Sequence, residues 1–269
     1  MTNKLAIIGG TGLYHLEFLE NMETLAITTE YGETTLQKSI YEDTEVYFMT
    51  RHGSGHKVPP HLVNYRANIA ALKVLEVDGI FATAAVGSLR QDIAPGTMVV
   101  VDQFMDQTRD RISTFFTGGD MPVVHTDFTE PYCPELRSLL ISECHKAGWN
   151  YRNCGTYVTT EGPRFETPAE IVAMSRLGGE LVGMTNVPEV VLAREAGLCY
   201  STVALVTNYA AGISENPLTH EEVVEVMKTY KDQLNNLFQS CILNFPREKE
   251  CSCLEAGQYL NIKGQINKK

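Results

Sequence analysis

No apolar run in the chain approaches the roughly twenty residues needed to cross a bilayer as a helix. The first residues pass directly into Leu5-Ala6-Ile7-Ile8, without the longer apolar region and small-residue cleavage site of a signal peptide, so a cytoplasmic address is expected. No CxxC pair occurs among the seven cysteines, which read as free thiols in the absence of a secretory context. Cys251-Ser252-Cys253 offers two thiols in a charged tail with no His nearby, so no metal site is expected. Basic residues are scarce: 22 Lys plus Arg stand against 33 Asp plus Glu, a net charge of −11 that repels a nucleic-acid backbone. Any anionic substrate therefore needs a locally basic site. Internal repeats are absent, and 43% hydrophobic with 20% charged residues excludes a disordered chain.

What is present is an alternation of strand and helix patterns. Short apolar or β-branched runs end in Gly or polar residues at 5–9, 45–50, 79–85, 97–103, 155–160, 181–184 and 201–207. Residues 64–77 place Ile69, Leu72 and Leu75 on one helical face, and 134–147 do the same with Leu136, Leu139 and Leu140. Thr167-Pro168-Ala169-Glu170 and Thr219-His220-Glu221-Glu222 carry the capping-box pattern of helix starts. The interspersion predicts an α/β fold, one domain over residues 1–245, with a central mixed sheet flanked by helices. After Pro246 periodicity is lost, and 246–269 reads as a loosely held tail.

Five constellations carry possible chemistry. Gly9-Gly10-Thr11-Gly12 ends a strand with glycines that let backbone N–H groups approach an anion; it lacks the third Gly of a dinucleotide fingerprint and the Lys of a P-loop, and a simple turn would also explain it. Arg51-His52-Gly53 follows another strand and continues into Ser54-Gly55-His56-Lys57, an oxyanion fork and further donors or a solvated basic loop. Thr83-Ala84-Ala85-Val86-Gly87-Ser88 puts small residues at a strand's C-terminal edge, suiting either a ligand or close helix packing. Glu161-Gly162-Pro163-Arg164-Phe165-Glu166-Thr167 presents a ring and a carboxylate just before a capped helix; Phe165 could stack on a planar base, or both could be structural. Asn208-Tyr209-Ala210 closes a strand where an amide could read a heterocycle's edge or simply turn the chain.

Together these stretches resemble the trimeric purine nucleoside phosphorylase and 5′-methylthioadenosine phosphorylase family. The matching motifs, in family order, are Ile-Ile-Gly-Gly-Thr-Gly (7–12), Arg-His-Gly (51–53), Val-Asn-Tyr-Arg-Ala-Asn-Ile (63–69), Gly-Ser-Leu (87–89), Glu-Gly-Pro-Arg-Phe-Glu-Thr (161–167) and Gly-Met-Thr-Asn-Val-Pro-Glu (183–189). The resemblance implies a single phosphorylase-like domain assembled as a homotrimer. It implies that Thr11, Arg51, His52, Ala84, Ala85 and Thr185 hold phosphate, that Met184 lies beneath a ribose and Phe165 against ribose or base, and that Tyr209 and Ala210 line the base site. His52 and Asn208 become the candidate catalytic residues. Phosphate is then a co-substrate, and neither metal nor organic cofactor is required.

The adenosine-type members carry Asp where this chain has Asn208 and Ser where it has Glu166, so the chain resembles the members specific for hypoxanthine and guanine nucleosides. The chemistry agrees, because a 6-oxopurine carries a hydrogen on N1 that an ionised Glu166 accepts, whereas adenine N1 is itself an acceptor. That mismatch costs roughly 1 to 3 kcal/mol or more. His220 stands near the position of a His that such members use for the 5′-hydroxyl, while the wording of the motifs leans toward the methylthio branch. S-methyl-5′-thioinosine or 5′-methylthioadenosine is therefore the alternative substrate, and a non-catalytic purine-binding protein the alternative class.

Overall fold

A computed structural model describes residues 2–268 except Ser54, His56, Asp120 and 215–218, and describes His220 by its backbone alone. Its elements run β1 (Asn3–Gly9), β2 (Glu23–Thr29), β3 (Gly32–Tyr41), β4 (Thr44–Thr50), α1 (Tyr65–Val74), β5 (Gly79–Ser88), β6 (Met98–Val100), β7 (Gln103–Gln107), α2 (Pro134–Lys146), β8 (Tyr151–Arg152), β9 (Thr156–Thr160), α3 (Pro168–Arg176), β10 (Leu181–Gly183), α4 (Asn186–Glu195), β11 (Tyr200–Tyr209), α5 (His220–Thr229), α6 (Lys231–Leu243), α7 (Cys253–Ala256) and β12 (Gly264–Lys268).

The central strands are buried on both faces, and their side chains divide by the two-residue period of a strand. Ala6, Ile8, Ile80, Ala82, Ala204 and Val206 pack with residues of α1 and α4. Leu5, Ile7, Phe81, Val203 and Leu205 point to the other side, against α2 and α6. The expected mixed sheet between helical layers is therefore the observed one.

Pairing runs β12-β2-β3-β4-β1-β5-β10-β9-β7, with β11 joining the far side of β5 and leading on to β6 and β8. On one side β5 pairs parallel with β1 over Gly79–Ala82, then antiparallel with β10 at Gly87 and Ser88. Between those stretches the neighbouring strands part, leaving Ala84, Ala85 and Val86 bordering an opening within the sheet. Small side chains at Ala84 and Ala85 keep that opening clear. A register shift between Val206 and Asn208 in the β5–β11 ladder lies level with the same place. Such a bulge re-aims the side chains that follow it.

Two expectations need correction, and one pair of strands was not expected. The run 97–103 is not one strand: β6 pairs with β11 and β8 whereas β7 pairs with β9, the chain crossing between them at Val101 and Asp102. The hairpin β2–β3 was not anticipated, since its threonines dilute the apolar alternation. The segment after Pro246 is not loosely held. Cys253 and Leu260 are buried, and β12 adds to the sheet edge against β2. All five β12 residues are exposed, so its place rests on backbone pairing, which leaves no apolar period to read.

Helix starts follow local chemistry. Asn64 caps α1 by accepting from the Ala67 N–H, and Thr167 with Glu170 completes a reciprocal capping box at α3. Thr219 caps α5 by accepting from the Glu222 N–H. Among the described residues, no helix is long and apolar enough to cross a membrane.

Candidate active site

The opening beside β5 is a cavity of about 420 Å³, within the range of small-molecule sites. One end is formed where β1 stops. The Gly10 N–H donates to the Thr83 hydroxyl at 2.9 Å, and a Cβ on Gly10 would lie 2.9 Å from both the Arg51 guanidinium and the Thr83 carbonyl. Gly12 has φ +82°, and a Cβ there would meet Met227 at 2.5 Å. The glycines thus permit a close approach of three chain segments, and Thr11 faces the cavity between them.

Arg51 follows β4, its backbone N–H donating to the Gly9 carbonyl at 3.0 Å. Its Nε and Nη2 donate to the two oxygens of Glu189, each at 2.7 Å, and Nη1 donates to the Thr83 carbonyl at 2.9 Å. Both side chains are buried, Glu189 completely. Burial works against the Arg51 charge, but the Glu189 carboxylate more than offsets it, and the guanidinium pKa lies above its ordinary value. The pair is neutral overall. The arginine expected to make the site basic therefore contributes directed N–H groups more than net charge, with the exposed Lys57 also on the cavity wall.

Glu189 is fixed in turn. The Tyr200 hydroxyl donates to it at 2.7 Å, Thr202 donates to Tyr200, Asn186 donates to Thr202, and Tyr132 donates to Asn186 at 2.7 Å. Each buried hydroxyl has one direction to point, so the chain of bonds orders Arg51 from behind. His52 places Nδ1 at 2.9 Å from the Val58 carbonyl; a carbonyl only accepts, so Nδ1 carries the hydrogen.

Met184 and Thr185 form the opposing wall between β10 and α4. Thr185 is the residue before α4, and its hydroxyl makes no capping bond. Arg111 holds this wall from beneath. Its guanidinium donates to the carbonyls of Met184 (2.6 Å), Val187 (2.8 Å), Glu161 (2.6 Å) and Thr160 (3.2 Å), tying the loop after β9 to the loop after β10.

At the other end Glu166 lines the cavity, and the Thr160 hydroxyl donates to it at 2.6 Å. Phe165 stands 40% exposed at the mouth. Buried Asn208 accepts from the Thr207 hydroxyl at 2.8 Å and donates to the Tyr209 carbonyl at 2.9 Å. Because that carbonyl can only accept, the orientation of the amide is determined, and its NH2 group has a second hydrogen to offer.

Of the residues proposed from sequence, Thr11, Arg51, His52, Ala84, Ala85, Thr185, Phe165, Glu166, Met184, Asn208 and Ala210 border this one cavity. Tyr209 does not; its hydroxyl donates to the Gln91 carbonyl at 3.2 Å, because successive side chains leave a strand on opposite faces. His220 opens α5, but its side chain lies outside the described residues, as do Ser54 and His56 of the basic loop. Sequence reasoning missed Arg111, Thr160, Thr207 and Tyr200. It quoted Glu189 within a motif without giving it a role; a buried Arg in a strand-end loop is itself the signal that a carboxylate must be found for it.

A fold of this kind, with a cavity where a mixed sheet parts, agrees with the comparisons to known proteins. Residues 4–243 match the phosphorylase superfamily, and the chain belongs to that family. The chain is 54% identical to a protein of Dictyoglomus turgidum named probable 6-oxopurine nucleoside phosphorylase, over 98% of this chain and all of that one. It is 49% identical to the 6-oxopurine nucleoside phosphorylase of Pyrococcus furiosus, covering 94% and 97% of the two chains. Among solved structures, the methylthioadenosine phosphorylase of Schistosoma mansoni in complex with adenine superposes with a TM-score of 0.89 at 33% identity, covering 94% and 96%.

Proposed function

We propose that this chain cleaves 6-oxopurine nucleosides, inosine and guanosine, with inorganic phosphate as nucleophile, releasing the free base and ribose 1-phosphate. The observation that carries the reading is Glu166, a carboxylate oriented by Thr160 in the same cavity as the Asn208 amide, opposite the glycine turn and Arg51. An ionised carboxylate accepts from the N1–H of hypoxanthine or guanine and meets an acceptor on adenine.

The reaction follows from charge. A phosphate oxygen attacks C1′ while the C1′–N9 bond breaks, the sugar becomes cationic, and the bond's electron pair passes to the purine. Thr11, Arg51, His52, the Ala84-Ala85 edge and Thr185 would hold phosphate below C1′, so much of the rate gain comes from positioning. The second Asn208 N–H donates to N7 or O6 and stabilises the developing anion; an oriented donor of this kind is worth about 10²–10³ in rate. His52 and Asn208 are thus the residues proposed to act at the two reacting ends. Phosphate is the co-substrate and no organic cofactor enters. A homotrimer in the cytoplasm belongs to the same proposal, its assembly checked by analytical ultracentrifugation.

One observation favours a second reading at the 5′ end. Val223, one helical turn beyond His220 on α5, lines the cavity with an apolar side chain that suits a methylthio group as well as a neighbouring His suits a hydroxyl. Measuring kcat/KM for inosine, guanosine, S-methyl-5′-thioinosine and 5′-methylthioadenosine decides. The proposal expects inosine and guanosine to lead; a higher value for either methylthio substrate overturns the choice of 5′ substituent, and preference for methylthioadenosine also overturns the reading of Glu166.

A further inference from the structure

Far from the cavity, four of the seven cysteines meet. The Sγ atoms of Cys133, Cys199, Cys251 and Cys253 all lie within 4.8 Å of one another, and Cys199 and Cys251 approach to 3.5 Å. Two of these residues flank a single serine in the C-terminal segment, one precedes α2, and one precedes β11. β11 runs from this cluster to Asn208, about 30 Å away at about 3.3 Å per residue. The cluster is therefore separate from the nucleoside site.

We propose that Cys133, Cys199, Cys251 and Cys253 form a structural site for one zinc ion. Zinc holds four thiolates tetrahedrally at about 2.3 Å, which spaces the sulfurs about 3.8 Å apart. The observed spacing matches that arrangement within small side-chain adjustments. A disulfide instead needs two sulfurs at about 2.05 Å and sorts the four into pairs, whereas here each sulfur is near all three others.

The surroundings suit the charge. Four protons leave as the thiols bind Zn²⁺, and the resulting centre carries two net negative charges. Two cations already touch the sulfurs: Lys249 Nζ lies 3.5 Å from Cys199 Sγ and Arg194 Nη1 lies 3.6 Å from Cys253 Sγ. Donors of this sort orient and stabilise metal-bound thiolates. Lys249 also donates to the Asp78 carbonyl, so it is anchored independently of the cluster. Cys133 is the residue before the 13-residue helix α2, where the helix dipole favours negative charge. Three of the four ligands are buried and Cys251 is half-buried, which leaves the ion a path of entry.

Such an ion ties the segment around α7 to the starts of α2 and β11. That gives a physical reason why a short, polar C-terminal stretch docks on the body of the protein.

The test uses the full chain, purified under reducing conditions and exposed to Zn²⁺ alone. Elemental analysis should find one zinc per chain, and a thiol reagent should reach four additional cysteines only after chelation. Cys251→Ser should bring zinc to background and lower the melting temperature. Should that variant fail to fold, Co²⁺ reconstitution of the unaltered chain still decides, since four thiolates give intense charge-transfer and tetrahedral visible bands. Zinc-free protein after exposure, a cobalt spectrum without those bands, or, in protein purified without reductant, a denatured mass lower by the four hydrogens that two disulfides lose overturns the proposal.

Discussion

Replacing Glu166 tests the reading of the base directly. The carboxylate is half-buried and, among the described residues, receives one hydrogen bond, from Thr160 at 2.6 Å, which leaves an oxygen to accept from a purine N1–H. A hydrogen bond to a charged group contributes about 1.5–3 kcal/mol, so Glu166→Ser should lower kcat/KM for inosine roughly 10- to 150-fold at 1.4 kcal/mol per decade. Adenosine should respond in the opposite direction, since the substitution removes an acceptor facing adenine N1, a mismatch of about 1–3 kcal/mol. The ratio of inosine to adenosine should therefore fall by about sixtyfold or more. Glu166→Gln keeps the shape without the charge and should also lower the ratio. The assay is initial rates at saturating phosphate with a matched melting curve. A ratio unchanged in both variants, in folded protein, refutes the argument, because the carboxylate would then not face N1.

Further outcomes follow from other contacts. Asn208→Ala should reduce kcat about 10²- to 10³-fold with a much smaller change in KM for inosine; a change in KM alone contradicts a role in stabilising the leaving base. Glu189→Gln leaves buried Arg51 without its carboxylate, at a cost of about 3–5 kcal/mol, and should lower the melting temperature by roughly 6–20 °C while raising KM for phosphate; calorimetry and phosphate titration check both. Arg111→Lys offers three donors to the four carbonyls now served, so it strands at least one at about 1–3 kcal/mol, and should loosen the walls around Met184 and Glu166, read as a raised KM for nucleoside. Glu170, held by Arg164 and the Thr167 N–H, has its pKa lowered from 4.5 to about 2. A depressed folded-state value contributes stability above the unfolded pKa and loses it as pH falls through the folded one. The stability gap between wild type and Glu170→Gln should accordingly be present at pH 7 and close between pH 4.5 and 2, and it should be small because the pair is largely solvent-exposed; a gap that persists at pH 2 contradicts the assignment.

What the sequence made legible follows from which forces leave a local trace. Ile7, Ile8, Phe81 and the whole of β11 announce buried strands because both faces exclude water, and Thr167 with Glu170 announces a helix start because capping uses adjacent residues. The cavity's glycines and small residues were visible for the same reason. Arg111 was invisible because its partners are backbone carbonyls of distant loops, which any sequence supplies. Glu189 and Arg51 are 138 residues apart, so their pairing is a product of topology. The cysteine cluster escaped likewise, since Cys133 and Cys199 reach Cys251 and Cys253 only once β11, α2 and the C-terminal segment are assembled. β12 carries no apolar pattern at all, and Tyr209 was placed on the wrong face of its strand by reading a motif as a block.

The central claim is that phosphate, held by the turn after β1 and by Arg51, is the nucleophile. Phosphorus NMR of a reaction with inosine reads it most directly. Ribose 1-phosphate should accumulate one for one with hypoxanthine, and base release should cease when phosphate is removed. Hypoxanthine appearing at the same rate in phosphate-free buffer, with free ribose as the partner product, would contradict it.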